Sequence, residues 1–233
     1  MTFRFRPLLS LACALGVLVL IGLGTWQVQR LAWKTDLTER VERQAKGPPM
    51  ALEALPAPPG APETEYAHIA VTGGFLPDTA HLFGTYGGEP GWFVFQPFLP
   101  DDRAETVLVN RGFVRQDERA EIYELPDAPA LTALVRRFES PRSLTAFLNV
   151  PPDPEGRSYY DRTRETLTGA FEPAPNRPFA DYYLDSTLPT ERPRGGSTRL
   201  DFSNRHLGYV FTWYGLALAL AGVWAAMSWS RSR

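Results

Sequence analysis

The sequence predicts a membrane protein of the α+β class, with two transmembrane helices flanking a mainly antiparallel β extracytoplasmic domain. Three observations carry this. Uncharged apolar runs lie near both ends, Leu8–Trp26 and Leu207–Trp229, and at about 1.5 Å per residue each can cross a hydrocarbon core of about 30 Å. Between them, runs of period two are separated by Gly, Pro and Asp clusters at short spacing, the pattern of a sheet or barrel. The short tails carry arginine and no other charge, Arg4 and Arg6 at one end and Arg231 and Arg233 at the other. The positive-inside rule then puts both termini in the cytoplasm and the central domain outside, in the periplasm of a bacterium whose inner (cell) membrane holds the chain.

The first element is the span, with Trp26 at its interfacial end and Arg30 and Lys34 beyond. A cleaved signal peptide is the competing reading, but the run is long for one and continues as a helix. Over Arg30–Lys46, Asp36/Arg40, Glu39/Arg43 and Glu42/Lys46 are acid-before-base pairs at i,i+4. Leu37, Val41 and Ala45 form a thin apolar stripe, and Gly47-Pro48-Pro49 stops the helix. Pro48–Pro62 holds six prolines and reads as a stiff connector, with one helical turn around Met50–Leu55.

Tyr66–Thr72 is the first predicted strand, with Gly73-Gly74 as its break. Thr79–Tyr86 follows, then Gly87–Gly91 as a turn and Trp92–Leu99 as a third strand whose Pro97 marks an edge. Asp101–Arg103 is a turn. Over Thr106–Val114, alternation places Val107, Val109, Arg111 and Phe113 on one face. Leu131–Phe138 and Ala180–Leu184 are further strands, Tyr160–Thr168 a short helix, and Pro151–Gly156 a loop. Pro189–Thr198 leads back to the membrane. The resulting order is tail 1–7, first span 8–29, helix extension 30–47, proline-rich linker 48–65, β-rich domain 66–188, linker 189–205, second span 206–229 and tail 230–233.

Composition excludes several functions. A net charge of -2 with scattered basic residues predicts no nucleic-acid partner. The single cysteine, Cys13, lies inside the first span and reads as a small hydrophobe. No nucleotide-binding glycine loop, hydrolase elbow or zinc motif is present, and no carboxylate pair stands out, so an enzyme is not expected. His68 and His81 lie in adjacent predicted strands and could meet; hydrogen-bonded sheet histidines are favoured over a metal site.

His206 differs by its place at the mouth of a spanning helix, where ionisable groups are often functional. His206, Tyr209 or Val210, and Trp213 share one face at i, i+3/i+4, i+7. That face offers an imidazole and flat apolar surface, which suit a haem edge, with His206 on the iron. Topology brings Trp26 and Arg30 to the same membrane face, and Arg30 and Arg205 could pair with propionates. The competing reading is an interfacial aromatic belt.

Three segments carry a resemblance. Gly24-Thr25-Trp26-Gln27-Val28-Gln29-Arg30, Val109-Asn110-Arg111-Gly112-Phe113, and Asn204-Arg205-His206-Leu207-Gly208-Tyr209 with Thr212-Trp213-Tyr214 resemble, in order, the motifs of the Surfeit-locus family of cytochrome c oxidase assembly factors. Phe113 stands where that family has tryptophan, Arg115 where proline is common, and Arg205 where asparagine is frequent. The resemblance implies delivery or holding of haem A, with His206 as iron ligand, during maturation of the oxidase catalytic subunit. Its implied partners are cytochrome c oxidase subunit one or an assembly intermediate of it, haem A synthase, and the lipid bilayer. It implies no catalysis. The alternative is a haem-independent membrane scaffold for oxidase assembly intermediates.

Overall fold

A computed structural model describes residues 2–3, 6–119, 130–140, 153, 157–198, 200 and 206–230. In chain order its elements begin with β1 (Thr2–Phe3), α1 (Pro7–Lys46), β2 (Met50–Ala51), β3 (His68–Phe75), β4 (Ala80–Tyr86) and β5 (Glu89–Pro100). They continue with β6 (Thr106–Arg115), β7 (Ala130–Arg137), β8 (Ser158–Tyr159), α2 (Arg164–Thr168), β9 (Phe179–Ser186), α3 (His206–Ser228) and β10 (Trp229–Ser230). The chain divides into two units, Met1–Arg40 with Asp201–Arg233, and Val41–Leu200.

The first unit is helical. Among the described residues, α1 and α3 are the two helices long and apolar enough to cross a bilayer. Their least exposed positions recur at alternating steps of three and four: Ser10, Cys13, Val17, Leu20, Gly24 and Gln27 on α1, and Val210, Trp213, Ala217, Leu220 and Trp224 on α3. That is the 3.5-residue repeat of a left-handed helix pair. Small residues set the approach. A methyl group added at Gly16 would meet Leu220, and one at Gly24 would meet the Tyr214 ring, each at 2.9 Å. The Tyr214 hydroxyl lies 3.1 Å from Thr25 Oγ1, and the Trp224 indole donates to Ser10 Oγ at 3.0 Å. Hydrogen bonds and close van der Waals contact hold helices in lipid, where burial of apolar surface supplies no drive. β1 and β10 pair antiparallel near the two ends of this unit.

The second unit is a β-barrel with a sheet extension. Around the ring the neighbours run β3-β7-β9-β6-β5, and β5 returns to β3 through Gly73–Phe75 and Phe98–Pro100. Most pairs are antiparallel; β6–β9, β2–β3 and β4–β8 are parallel. All five ring strands contribute to one core, with Ile69, Val71, Phe98, Val107, Val109, Leu131, Val135, Tyr182 and Leu184 packed together. A second core lies on the other face, where Leu82, Phe93, Phe95, Leu108, Phe113 and Tyr183 are closed over by Leu167 of α2.

Several sequence expectations change here. Gly73 and Gly74 do not end β3; they carry it on to β5, and a side chain at Gly73 would collide with the Leu99 carbonyl. The turn after β4 is only Gly87-Gly88, both at positive φ (60° and 88°), as a two-residue hairpin with type I′ geometry requires. Glu89–Gly91 already pair with β4. Pro97 is not at an edge. One side of β5 pairs with β6, the other first with β4 and then with β3, and Pro97 sits at that hand-over. It needs no N–H there, while its carbonyl accepts from Leu76 at 2.9 Å.

The shared face expected for Val107, Val109, Arg111 and Phe113 breaks at Arg111. Val94 pairs with Gly112 but Phe95 pairs with Asn110, so Arg111 is the extra residue of a β-bulge. Beyond it the alternation inverts, and Phe113 joins the core of Leu108 instead of that of Val107 and Val109. The short helix begins at Arg164, not Tyr160, because Thr163 caps it by accepting from the Thr166 N–H. The helical turn expected around Met50–Leu55 shrinks to a 3-10 turn at Leu52–Ala54. Pro189–Thr198 is not a free tether: Arg194 exchanges backbone hydrogen bonds with Phe113 on β6. The predicted loop Pro151–Gly156 lies outside the described residues except for Asp153, which bridges Ser158.

His68 and His81 do not meet. β3 and β4 are not neighbours; each pairs separately with β5. His68 Nδ1 lies 2.7 Å from the Gly47 carbonyl and fixes the C-terminal end of α1, while Gln44 donates to Glu63 O. Val41 and Ala45 of the expected stripe are buried; Leu37 is exposed.

Candidate functional site

The helix pair sets the depth of each candidate residue. Ser10 meets Trp224, Gly16 meets Leu220, and Gly24 and Thr25 meet Tyr214. The helices run antiparallel, so stepping forward on α1 means stepping back on α3. Trp26 is therefore level with Trp213, and the turn Arg30–Trp33 is level with Tyr209 and position 206. α3 opens at His206. Asn204 and Arg205 lie outside the described residues.

The candidates occupy two settings. Trp213 is in the packing stripe, and its indole Nε1 is buried without a hydrogen-bond partner. Trp26 and Tyr209 each leave 53% of their surface exposed, and Arg30 is exposed as well. At about 100° per residue, Arg30 and Tyr209 each lie about a quarter turn from their stripes. Antiparallel pairing brings those quarter turns to the same flank. Arg30 and Tyr209 are thus brought together, Trp26 lies about one turn deeper on α1, and Trp213 is set between the helices.

Sequence reasoning missed Trp33. The Arg30 guanidinium lies over its ring, 4.0 Å from the centroid, and the i,i+3 spacing was the available signal. No carboxylate among the described residues pairs with Arg30. Farther along α1, Arg40 pairs with Asp36 at 2.8 Å and Lys46 with Glu42 at 3.2 Å.

The barrel unit holds two buried polar clusters. In the first, Asp185, 3% exposed, accepts from Asn110 (2.9 Å), Arg136 (2.9 Å) and Thr198 (2.8 Å). Arg136 also covers the Tyr66 ring at 4.4 Å. Burial pushes the Tyr183 hydroxyl well above the ordinary phenol range, with the Asp185 charge adding to it. In the second, Arg111 donates to Gln96 Oε1 at 2.8 Å and stacks on Phe75 at 3.9 Å. These clusters satisfy groups that would otherwise be unpaired inside a β structure. His81 is held to a pKa of about 4, first by burial and then by the Arg119 and Arg157 charges. Among the described residues no group of three or more His, Cys, Asp or Glu side chains could hold a metal ion.

Together these features define a class: a two-span membrane protein carrying a small closed β-barrel, with its candidate ligand-binding residues at the C-terminal end of the first span and the N-terminal end of the second. Comparison with known proteins narrows it. Residues 14–218 match the model of the SURF1 family. The chain is 33% identical over 227 residues to Surfeit locus protein 1 of Homo sapiens, covering 87% of this chain and 72% of that one. It is 32% identical over 228 residues to a SURF1-like protein of Monosiga brevicollis, covering 88% and 82%. With Surfeit locus protein 1 of Takifugu rubripes it shares 32% over 230 residues, covering 88% and 90%. The chain belongs to the SURF1 family.

Proposed function

We propose that this protein is a cytochrome c oxidase assembly factor that binds haem A and hands it over during maturation of the oxidase catalytic subunit. Subunit one or an intermediate containing it is the receiving partner, and haem A synthase the donor. The observation that carries the reading is the convergence at one depth of position 206, Tyr209 and Arg30, on helices whose register is fixed by Gly24 and Tyr214.

The residues fit such a group. His206 would be the iron ligand, Tyr209 and Trp26 apolar surface for the ring, and Arg30 a cation for the propionates. Trp213, set between the helices with its indole N–H buried, would back the site from within the helix pair instead of offering an open ring face. Haem A when bound supplies a redox-active iron; the protein's own task is to hold and orient it at the lipid boundary. In the proposed setting, the bacterial inner membrane, both termini are cytoplasmic and the barrel is periplasmic. Protease added to intact spheroplasts should then digest the barrel and spare both tails.

The decisive experiment is the absorption spectrum of protein purified in detergent after co-expression with a haem A synthase. A haem Soret band is expected, and His206→Ala should remove it. Full haem content with an unchanged spectrum in His206→Ala would overturn the ligand assignment. Oxidase that assembles normally with that variant would favour the haem-independent scaffold.

A further inference from the structure

We infer that Trp33 is a positioning residue for an anionic ligand group, acting through Arg30, and that the pair recognises the carboxylates at the edge of a porphyrin. This rests on the haem-binding reading above. Three observations carry it.

The first is the pair itself. Trp33 is 48% exposed, yet its ring face is occupied by the Arg30 guanidinium at 4.0 Å. Stacking a planar cation on an indole restricts a long side chain that would otherwise sample many rotamers, and leaves the N–H edge of the guanidinium free to donate.

The second is charge. Arg40 and Lys46 each have an acid one turn earlier on α1 that takes up their charge. Around Arg30 the residues one turn away are Trp26, Gln27, Trp33 and Lys34, none of them acidic. Here α1 withholds the carboxylate that it supplies farther along, which leaves the guanidinium edge open to an anionic ligand group.

The third is depth. Register puts the Arg30–Trp33 turn level with position 206 and on the flank of Tyr209. An interfacial anchor needs only to lie near the lipid surface. It has no need to share the level of an imidazole on a second helix.

A carboxylate at this depth and a lipid phosphate share the same recognition chemistry, so the test separates them. Full-length protein in uncharged detergent, where no lipid phosphate competes, is titrated with haemin and with haemin dimethyl ester, whose carboxylates are masked. Trp33→Leu should weaken haemin binding by roughly tenfold, the scale of a partly desolvated cation–π contact. It should leave the ester's affinity unchanged, and Trp33→Phe should retain most of the haemin affinity. Arg30→Gln should show the same selective loss, and adding Trp33→Leu to it should cause no further loss, because one residue acts through the other. Equal loss of haemin and ester in Trp33→Leu, or no loss of either, overturns the positioning role alone. A wild-type protein that takes up neither porphyrin overturns the haem-binding reading and this inference with it.

Discussion

Asp185 offers a quantitative test of how the barrel is held together. Its carboxylate, 3% exposed, accepts from Asn110, Arg136 and Thr198 at 2.8–2.9 Å. Replacing it with alanine leaves Arg136, whose side chain is 15% exposed, with Glu65 at 3.7 Å as its remaining counter-ion among the described residues. Breaking one side of a buried pair costs about 3–5 kcal/mol, because the remaining charge stays desolvated. The Asn110 amide and Thr198 hydroxyl lose an acceptor as well, so the upper part of that range is expected. Asp185→Asn restores shape but presents N–H where a donor already points, and should cost about 2–3 kcal/mol. Removing both charges with Asp185→Leu and Arg136→Met should cost less than Asp185→Ala alone. Urea unfolding of full-length protein in detergent, followed by near-UV circular dichroism of the barrel's buried tyrosines and Trp92, measures each value. If Asp185→Ala costs less than about 1 kcal/mol, the network is not what joins Thr198, β6, β7 and β9, and the reasoning fails.

Acidification should destabilise the barrel through His81. Its pKa is about 4 folded against 6.5 unfolded, so the unfolded chain takes up the proton first, and stability falls as pH drops through that window. His81→Gln should flatten the stability profile there. Phe113→Ala should cost about 3–5 kcal/mol, read as a lower Tm, since the ring is buried among Phe93, Leu108 and Tyr86.

The two spans, the long first helix and its stop at Gly47, and most strand positions were legible because each rests on local periodicity. What escaped was set by pairing across distance. Gly73-Gly74 is a break by composition, and only the approach of Leu99 turns it into a closure point. The face of Phe113 could not be read from alternation, because the bulge at Arg111 exists only opposite Val94 and Phe95. His68 and His81 are neighbours in strand order along the chain but not in space. At the membrane face, Trp26, Arg30, Tyr209 and Trp213 could be named from the sequence. Topology alone put Trp26 and Arg30 at one membrane face with the start of the second span, but the pairing of levels, Trp26 with Trp213 and Arg30 with Tyr209, depends on which residue of one helix meets which of the other. That register promotes Trp33 and sets Trp213 between the helices.

The parallel pairing of β9 with β6 has a consequence for how the protein is made. β9 lies between β6 and β7, although it leaves the ribosome after both. Until Phe179–Ser186 emerges, two strands of the ring face each other with a gap where the keystone belongs. The ring is completed by its last piece, added through contacts of long sequence separation, which is the slow kind. A nascent chain arrested between Arg137 and Phe179 therefore carries two unpaired strand edges, and the quality-control proteases of its compartment have an open target in such a fragment.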